Sequence, residues 1–455
     1  MKPNPINMND TTNKKLYMIS LGCSKNLVDS EVMLGLLEND GYAVTQEPED
    51  ANLLLVNTCG FIGSAVKEAI DEILALSRYK TGDPSKKLVV TGCLVQRYGT
   101  ELEKELPEVD LFIGTNGFHT IVDQLYGKKA PLPLAHSLDQ APFLMDSSIP
   151  RKVSTPPHRA YMKITEGCIN RCSYCLIPDI RGKLRSRTIA DLITEARRLN
   201  AEGVKELTLV AQDLLAYGLD LGKQANLPVL LKHILAETDI PWIRLLYLHP
   251  ARVSKELLSL MAENPRLIPY LDIPFQHVSD HILNLMNRPY KQKQLVQLLE
   301  TIHHLLPLAA LRTTMMVGFP GETEDDIAEM AAFLQKHHFD HLGVFAYANE
   351  EGCGAASLPN QIAEEIKEDR LRKIMELQAD ISFAALQKHV GEVEQVLVEG
   401  LSRESDLLLE GRTRYQAPEI DGCVYITKGT VEPGALVDVK ITEAHTYDLV
   451  GELKE

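Results

Sequence analysis

The chain has 455 residues, 45% of them apolar and 24% charged, with a formal charge of −16. It is too long for one core, so several domains are expected, and its negative charge disfavours a general nucleic-acid binder and fits a basic protein partner or, more readily on charge alone, an acidic surface kept for solubility. No apolar run reaches the roughly eighteen residues of a membrane span, and the polar residues 1–14 read as a disordered leader and not a signal peptide, so the expected location is cytoplasmic.

From residue 15 strand and helix alternate. Strands are predicted over 15–22, 51–57, 87–91 and 110–114, with helices over 27–39 and 64–79 and a third running to about 106. Strands joined by helices give an open parallel α/β sheet, predicted over 15–130. Residues 131–157 carry six prolines and little periodicity, and read as a linker. A second alternating run follows, with strands over 160–165, 206–212, 242–248, 270–274, 311–317 and 341–347. Helices are predicted over 188–201, 254–263, 291–305 and 323–336. These βα units fit an incomplete (β/α)6 TIM-type barrel, which puts its chemistry at the strand C-termini. With a charged helical bridge over 359–388, this domain spans 158–388. Residues 389–455 break into short strands with Gly and Pro turns, as in a small antiparallel OB-like β-barrel.

There are eight cysteines, and in a chain of this size and kind clustered thiols bind metal more often than they form disulfides. Cys168, Cys172 and Cys175 have CxxxCxxC spacing directly after the first barrel strand, where Gly167 permits a tight turn. Three thiolates satisfy three irons of a 4Fe–4S cluster and leave the fourth iron open to a small chelate. A zinc site needs a fourth ligand from a second paired motif, and none lies nearby.

Cys23, Cys59 and Cys93 are far apart in sequence, yet each falls just past the end of a predicted N-terminal strand. Those ends share one sheet edge, where ligands bind in open α/β sheets. Helix N-termini behind them are expected to lower the thiol pKa values. The repeated position points to a second cluster. Cys353 and Cys423 have no cysteine nearby and read as packing residues.

CxxxCxxC with Tyr174 before the last cysteine, after a barrel strand, resembles the radical S-adenosylmethionine superfamily. The resemblance implies that Tyr174 packs near the cofactor's adenine. It also implies that the strand-end segments 210–213, 272–277 and 317–322, with Gln212, Gln276 and Gly318, line the S-adenosylmethionine site. Two three-cysteine sets in this order, followed by a small β domain, resemble the methylthiotransferase family within that superfamily, over about 16–453. The resemblance implies a methylthiotransferase N-terminal domain, a radical barrel and a C-terminal TRAM domain, two 4Fe–4S clusters and an electron donor. The implied activity is insertion of a methylthio group at a carbon–hydrogen bond. An adenosyl radical made at the barrel cluster takes the hydrogen, and sulfur held at the second cluster is added. Of the family's branches, SLGCSKNLVDSE (20–31), NTCGFI (57–62), VTGCL (90–94), CLIPDIRG (175–182) and APEIDG (417–422) resemble the branch that acts on ribosomal protein and not on transfer RNA. The implied target is the β-carbon of an aspartate in small-subunit ribosomal protein S-twelve. Residues 391–455 hold fourteen acidic and six basic residues, a net of −8. An RNA-gripping domain of this type presents a basic groove, whereas an acidic one steers a basic ribosomal protein. A transfer-RNA adenosine methylthiotransferase and a non-enzymatic iron–sulfur protein of the ribosome are the competing readings.

Overall fold

The computed structural model describes residues 14–128 and 143–454, apart from 84, 223, 403 and 406. The expected leader over 1–14 lies, but for Lys14, outside the described residues, as does the 131–142 part of the expected linker. The chain forms two compact units. The first holds residues up to Ser154 together with Thr165–Asn170 and Leu176–Leu192, and the second holds the remainder.

The first unit is built on a parallel sheet of β1 (Lys15–Ser20), β2 (Ala43–Val44), β3 (Leu53–Thr58), β4 (Lys87–Gly92) and β5 (Leu111–Ile113), in the order β2-β1-β3-β4-β5. Every residue of β3 is buried, as expected for a strand covered on both faces. Ala69, Ile73 and Leu76 bring one stripe of the helix Gly63–Thr81 onto Leu54, Val56, Leu88 and Val90. The helix expected up to about 106 is broken at Gly99, whose φ of 48° ends Cys93–Tyr98 and starts Thr100–Glu105. Two further strands, β7 (Thr165–Glu166) and β8 (Arg185–Ser186), form a small antiparallel pair that sequence periodicity did not reveal.

Residues 143–154, expected to be linker, form a strap on this unit. Arg151 donates to Glu31 at 2.6 and 2.9 Å, and the Ser154 amide donates to the same carboxylate at 2.7 Å. Gly35 makes room for the strap, because a Cβ there would lie 2.7 Å from backbone atoms of Pro150 and Arg151. Proline content signals an irregular path, but says nothing about whether that path packs.

The second unit contains the barrel strands β6 (Arg159–Lys163), β9 (Glu206–Val210), β10 (Trp242–Leu245), β11 (Tyr270–Asp272), β12 (Ala310–Val317) and β13 (His341–Ala346). They form two parallel arcs, β10-β9-β6 and β11-β12-β13, joined through an Ile243–Leu267 bridge and the Leu248 amide donating to Asp272. The helix Glu364–Leu386 leads to a closed barrel of β14 (Val393–Leu401), β15 (Leu409–Thr413), β16 (Val424–Lys428), β17 (Leu436–Ala444) and β18 (Leu449–Leu453). Its order is β14-β15-β16-β18-β17, with β17 closing on β14, as in an OB-type barrel. The expectation of an antiparallel barrel holds for every pair but one. β16 and β18 run parallel, because β17 crosses over between them in sequence.

The small barrel is fastened to the N-terminal ends of the large barrel's strands. Arg159 in β6 donates to Glu419, and Glu206 in β9 accepts from Arg412 at 2.5 Å. From β10, Trp242 donates to Gln395 and Arg244 to the Arg414 carbonyl. Tyr270 in β11 donates to Asp421 at 2.6 Å, Arg312 in β12 lies 3.5 Å from the same carboxylate, and His341 in β13 meets the Tyr415 carbonyl. Each of the six strands thus gives a residue to this contact, which leaves the C-terminal strand ends for chemistry.

Candidate cysteine-lined sites

Cys23, Cys59 and Cys93 follow β1, β3 and β4, three adjacent strands of one sheet. Parallel strands put their C-termini on one edge, so distant cysteines meet there. Cys93 is within electrostatic reach of both Cys23 and Cys59. The approach is enforced by glycines: a Cβ on Gly22 would lie 2.9 Å from the Cys59 Cβ, and one on Gly60 would lie 2.6 Å from the Leu94 Cα. Gly92, with φ of 104°, turns the chain directly before Cys93, and its Cβ position lies 2.5 Å from both Asn57 Oδ1 and the Thr58 carbonyl. Next to Cys23, the buried Ser24 hydroxyl has no hydrogen-bond partner among the described residues.

The three thiols are not electrostatically alike. Cys23 is exposed at the surface, yet the protein crowded around its sulfur would push the thiol up by desolvation; Lys25, Arg181 and the amides of Asn26 and Lys25 outweigh this and lower the pKa. Burial wins at Cys59, and pushes Cys93 up to about 11 against the opposing charge of Arg181. The expectation that helix N-termini lower all three is therefore corrected for Cys59 and Cys93, where loss of water outweighs backbone donors. Arg181 is the member of this site that the sequence did not single out. It is buried, and it contacts Cys93, Asp29, Glu166 and Asn26. Its position inside CLIPDIRG, six residues after Cys175, was the available signal.

Among the described residues, no three His, Cys, Asp or Glu side chains converge tightly enough to chelate one metal ion. A four-iron cluster makes a different demand, since each thiolate binds a different iron and the sulfurs stand further apart. Convergent thiols around an unpartnered hydroxyl and a buried cation fit a sulfide-rich anionic cluster.

The CxxxCxxC loop is held by backbone bonds. In the first unit, the Cys168 amide donates to the Gly182 carbonyl at 3.1 Å. Gly167 has φ of 73°, and its Cβ position lies 2.2 Å from the Lys183 carbonyl oxygen, so only glycine fits. In the second unit, the Cys175 amide donates to the Cys172 carbonyl, and Ser173 bonds to the Met286 and Leu285 carbonyls. The loop around Cys353 braces the same segment, with the Ala355 amide donating to the Ser173 carbonyl at 2.7 Å. Arg288 donates to the Cys172 sulfur at 3.3 Å and to the Pro274 carbonyl at 3.1 Å.

Tyr174 packs on Ile282, Met286, Phe319 and Tyr347, and burial holds its phenol well above the ordinary value despite Arg288 beside it. Gln212 is half-buried two residues past β9, and Gln276 is half-buried beyond β11 with φ of 71°. Gly318 directly follows β12; its Cβ position lies 2.2 Å from Lys367 Cγ, so the glycine accommodates a lysine stem. All three stand at strand C-termini. His249, beyond β10, was not singled out from sequence. Burial, with Arg288 and Arg252, lowers its pKa to about 3, so it is neutral. Its Nδ1 accepts from the Ala251 amide, and its buried Nε2 has no partner among the described residues.

Three family models match the chain: Uncharacterized protein family UPF0004 over residues 15–114, the Radical SAM superfamily over 162–334 and the TRAM domain over 390–453. Solved structures with similar folds include the radical S-adenosylmethionine methyltransferase TsrM from Kitasatospora setae with tryptophan substrate and a cofactor analogue bound. It matches with a TM-score of 0.54 at 16% identity, covering 73% of each chain. At that identity the likeness concerns the fold. Curated relatives are far nearer in sequence. "Ribosomal protein uS12 methylthiotransferase RimO" of Desulfotalea psychrophila is 54% identical over 437 residues, covering 96% of this chain and 98% of the relative. The protein of the same name from Pelobacter propionicus is 46% identical over 448 residues, covering 98% and 100%. This chain belongs to the RimO family of ribosomal protein uS12 methylthiotransferases, radical S-adenosylmethionine enzymes with a C-terminal TRAM domain.

Proposed function

We propose that this protein inserts a methylthio group at the β-carbon of an aspartate in ribosomal protein uS12, using S-adenosylmethionine and two 4Fe–4S clusters. The observation that carries this reading is the meeting of Cys23, Cys59 and Cys93 on one sheet edge, in a chain that also carries CxxxCxxC after its first barrel strand. Cys168, Cys172 and Cys175 are assigned to the cluster that opens S-adenosylmethionine, and Cys23, Cys59 and Cys93 to the cluster that presents sulfur. When bound, the two clusters supply a single electron to the cofactor and a sulfur donor to the substrate.

The chain's own residues provide position and dryness. Gly167 sets the turn that starts the CxxxCxxC loop, and Arg288 orients the Cys172 sulfur. Tyr174, Gln212, Gln276 and Gly318 are assigned to cofactor binding at the strand ends. His249 offers a neutral N–H there that does not compete for protons at neutral pH. The acidic terminal domain suits a basic ribosomal protein through complementary charge. We assign domains to 15–130, 158–388 and 389–455, an electron donor as a further partner, and a cytoplasmic location. Among the described residues no helix is long and apolar enough to cross a membrane.

The test is anaerobic assay of the reconstituted protein with S-adenosylmethionine and a reductant, on uS12 and on transfer RNA. Mass spectrometry is expected to find the methylthio group on an aspartate of uS12. Modification of transfer RNA alone would overturn the reading, and absence of 5′-deoxyadenosine would leave a non-enzymatic iron–sulfur protein.

A further inference from the structure

Arg181 is 2% exposed, and its donors are spent in an unusual way. Nη1 donates to Asp29 at 2.9 Å and to the two Glu166 oxygens at 3.2 and 3.3 Å. Nη2 donates to Asn26 Oδ1 at 3.1 Å. Nε and Nη2 both reach the Cys93 sulfur, at 3.4 and 3.3 Å. A fork that needed only its carboxylates would use its paired donors on one of them. Here that Nε–Nη2 edge is turned onto a sulfur. A neutral thiol is a weak acceptor, whereas a thiolate is a strong one and suits a cation.

The frame around the guanidinium is rigid. Asp29 and Asn26 lie on the helix Ser24–Asn39, which starts next to Cys23. Asn26 is itself fixed by donating to the Leu21 carbonyl at 2.6 Å, and it accepts from Asn57 through its own carbonyl at 2.9 Å. Glu166 lies in β7, paired to β8. A buried guanidinium is costly unless anions surround it closely, and a cluster with its thiolates would add a further anion on the one edge that the carboxylates leave.

We propose that Arg181 is the positioning residue of the N-terminal cluster: it donates two N–H bonds to the Cys93 sulfur, keeps that thiolate on its iron and raises the cluster's reduction potential. The inference rests on the assignment of Cys23, Cys59 and Cys93 to a cluster. Hydrogen bonds to a ligating sulfur are a recognised lever on potential, and groups behind a metal ligand control its affinity. One chain segment thereby carries the last cysteine of one set, Cys175, and the charge partner of the other.

The test uses the full chain with Cys168, Cys172 and Cys175 replaced by Ala, so that only the N-terminal cluster is read. This parent is reconstituted anaerobically with iron and sulfide. About four irons are expected; a parent that binds none refutes the cluster assignment itself, separately from Arg181. Two variants are then compared by redox titration followed by electron paramagnetic resonance. Arg181→Lys keeps one charge but cannot give two bonds to sulfur while holding both carboxylates. Arg181→Met with Asp29→Asn and Glu166→Gln removes the charges together, so no carboxylate is left unpaired. Both variants are expected to keep iron and to be harder to reduce. Their reduced-to-oxidised ratio at the parent's midpoint should fall about tenfold, which is about 59 mV for one electron. Loss of iron with an unchanged Tm of the iron-free chain equally supports the inference. Iron retained at the parent's potential overturns it, as does an iron-free chain that unfolds in both variants, because Arg181 is then a folding residue only.

Discussion

The two cysteine sets differ in how their geometry is written. Cys168, Cys172 and Cys175 come from eight consecutive residues, and their spacing carries the resemblance to the radical S-adenosylmethionine superfamily. Cys23, Cys59 and Cys93 come from three strands, and only a parallel sheet in the order β1-β3-β4 brings them together. Each set has an arginine that donates to one of its sulfurs, the half-buried Arg288 to Cys172 and the buried Arg181 to Cys93. A local motif can be held by a few loop bonds, such as Ser173 to Met286. A dispersed site depends on the whole sheet, so its integrity is coupled to global folding.

Removing one set at a time should break this comparison most sharply. The Cys23/Cys59/Cys93 triple Ala variant is expected to fall from about eight irons to about four, to keep cleaving S-adenosylmethionine, and to lose methylthio transfer. The Cys168/Cys172/Cys175 variant should also hold about four irons but form no 5′-deoxyadenosine. Iron analysis with product chromatography reads both. Equal loss of cofactor cleavage in the two variants would sink the division of labour.

Fold stability can be separated from cluster assembly at the fastening of the small barrel. Glu206→Gln leaves the buried Arg244 without its carboxylate and Arg412 with Glu399 alone, and should cost about 3–5 kcal/mol by denaturant unfolding. Iron per folded molecule should not change; a drop would show that this contact also serves a cluster. The pH dependence has a definite sign. Burial raises the Glu206 pKa, but Arg412 and Arg244 outweigh it and lower it from 4.5 to about 2. The carboxylate therefore contributes its stability above about pH 4.5, and that contribution is lost as pH falls towards 2. Unfolding monitored against pH should show the loss in the parent and its absence in Glu206→Gln.

The glycine turns give the next effect. Gly92→Ala meets Asn57 and Thr58 at a positive φ, within the buried sheet edge, and should destabilise the whole fold by roughly 3 kcal/mol. Gly167→Ala meets the Lys183 carbonyl at a loop. It should remove the barrel cluster's iron with a smaller change in Tm. If both glycine variants lose stability equally, the contrast between dispersed and local sites fails. Smallest is Arg288→Lys, which keeps charge beside Cys172 but loses the fork that also holds Pro274. Cofactor cleavage should fall about tenfold with iron retained.

Much of this was legible in the residues because it depends on short-range pattern. The parallel strands appear as apolar runs such as ANLLLVN, since a strand buried on both faces has no polar alternation to hide it. The CxxxCxxC spacing and the strand-end position of Cys23, Cys59 and Cys93 could be read for the same reason. Other features could not. The strap at 143–154 looks like a linker because proline and low periodicity describe the backbone path and not its contacts. Arg181 sits in the sequence as one charged residue among 47 Lys and Arg. Its burial against Asp29, Glu166 and Cys93 is a long-range property, since Asp29 is 152 residues away.

The sequence by itself determined most of the elements, the two cysteine sets and the family resemblance they carry, because spacing and periodicity act through neighbouring residues. Only the tertiary structure decided how the cysteines are tuned. Burial raised Cys59 and Cys93 against the helix N-termini that were expected to lower them, because loss of water at a thiolate outweighs nearby backbone donors. It also decided that the small barrel closes with one parallel pair and fastens to the strand N-termini. Those outcomes depend on which distant surfaces meet, and that is set by packing and charge pairing across the fold, not by local pattern.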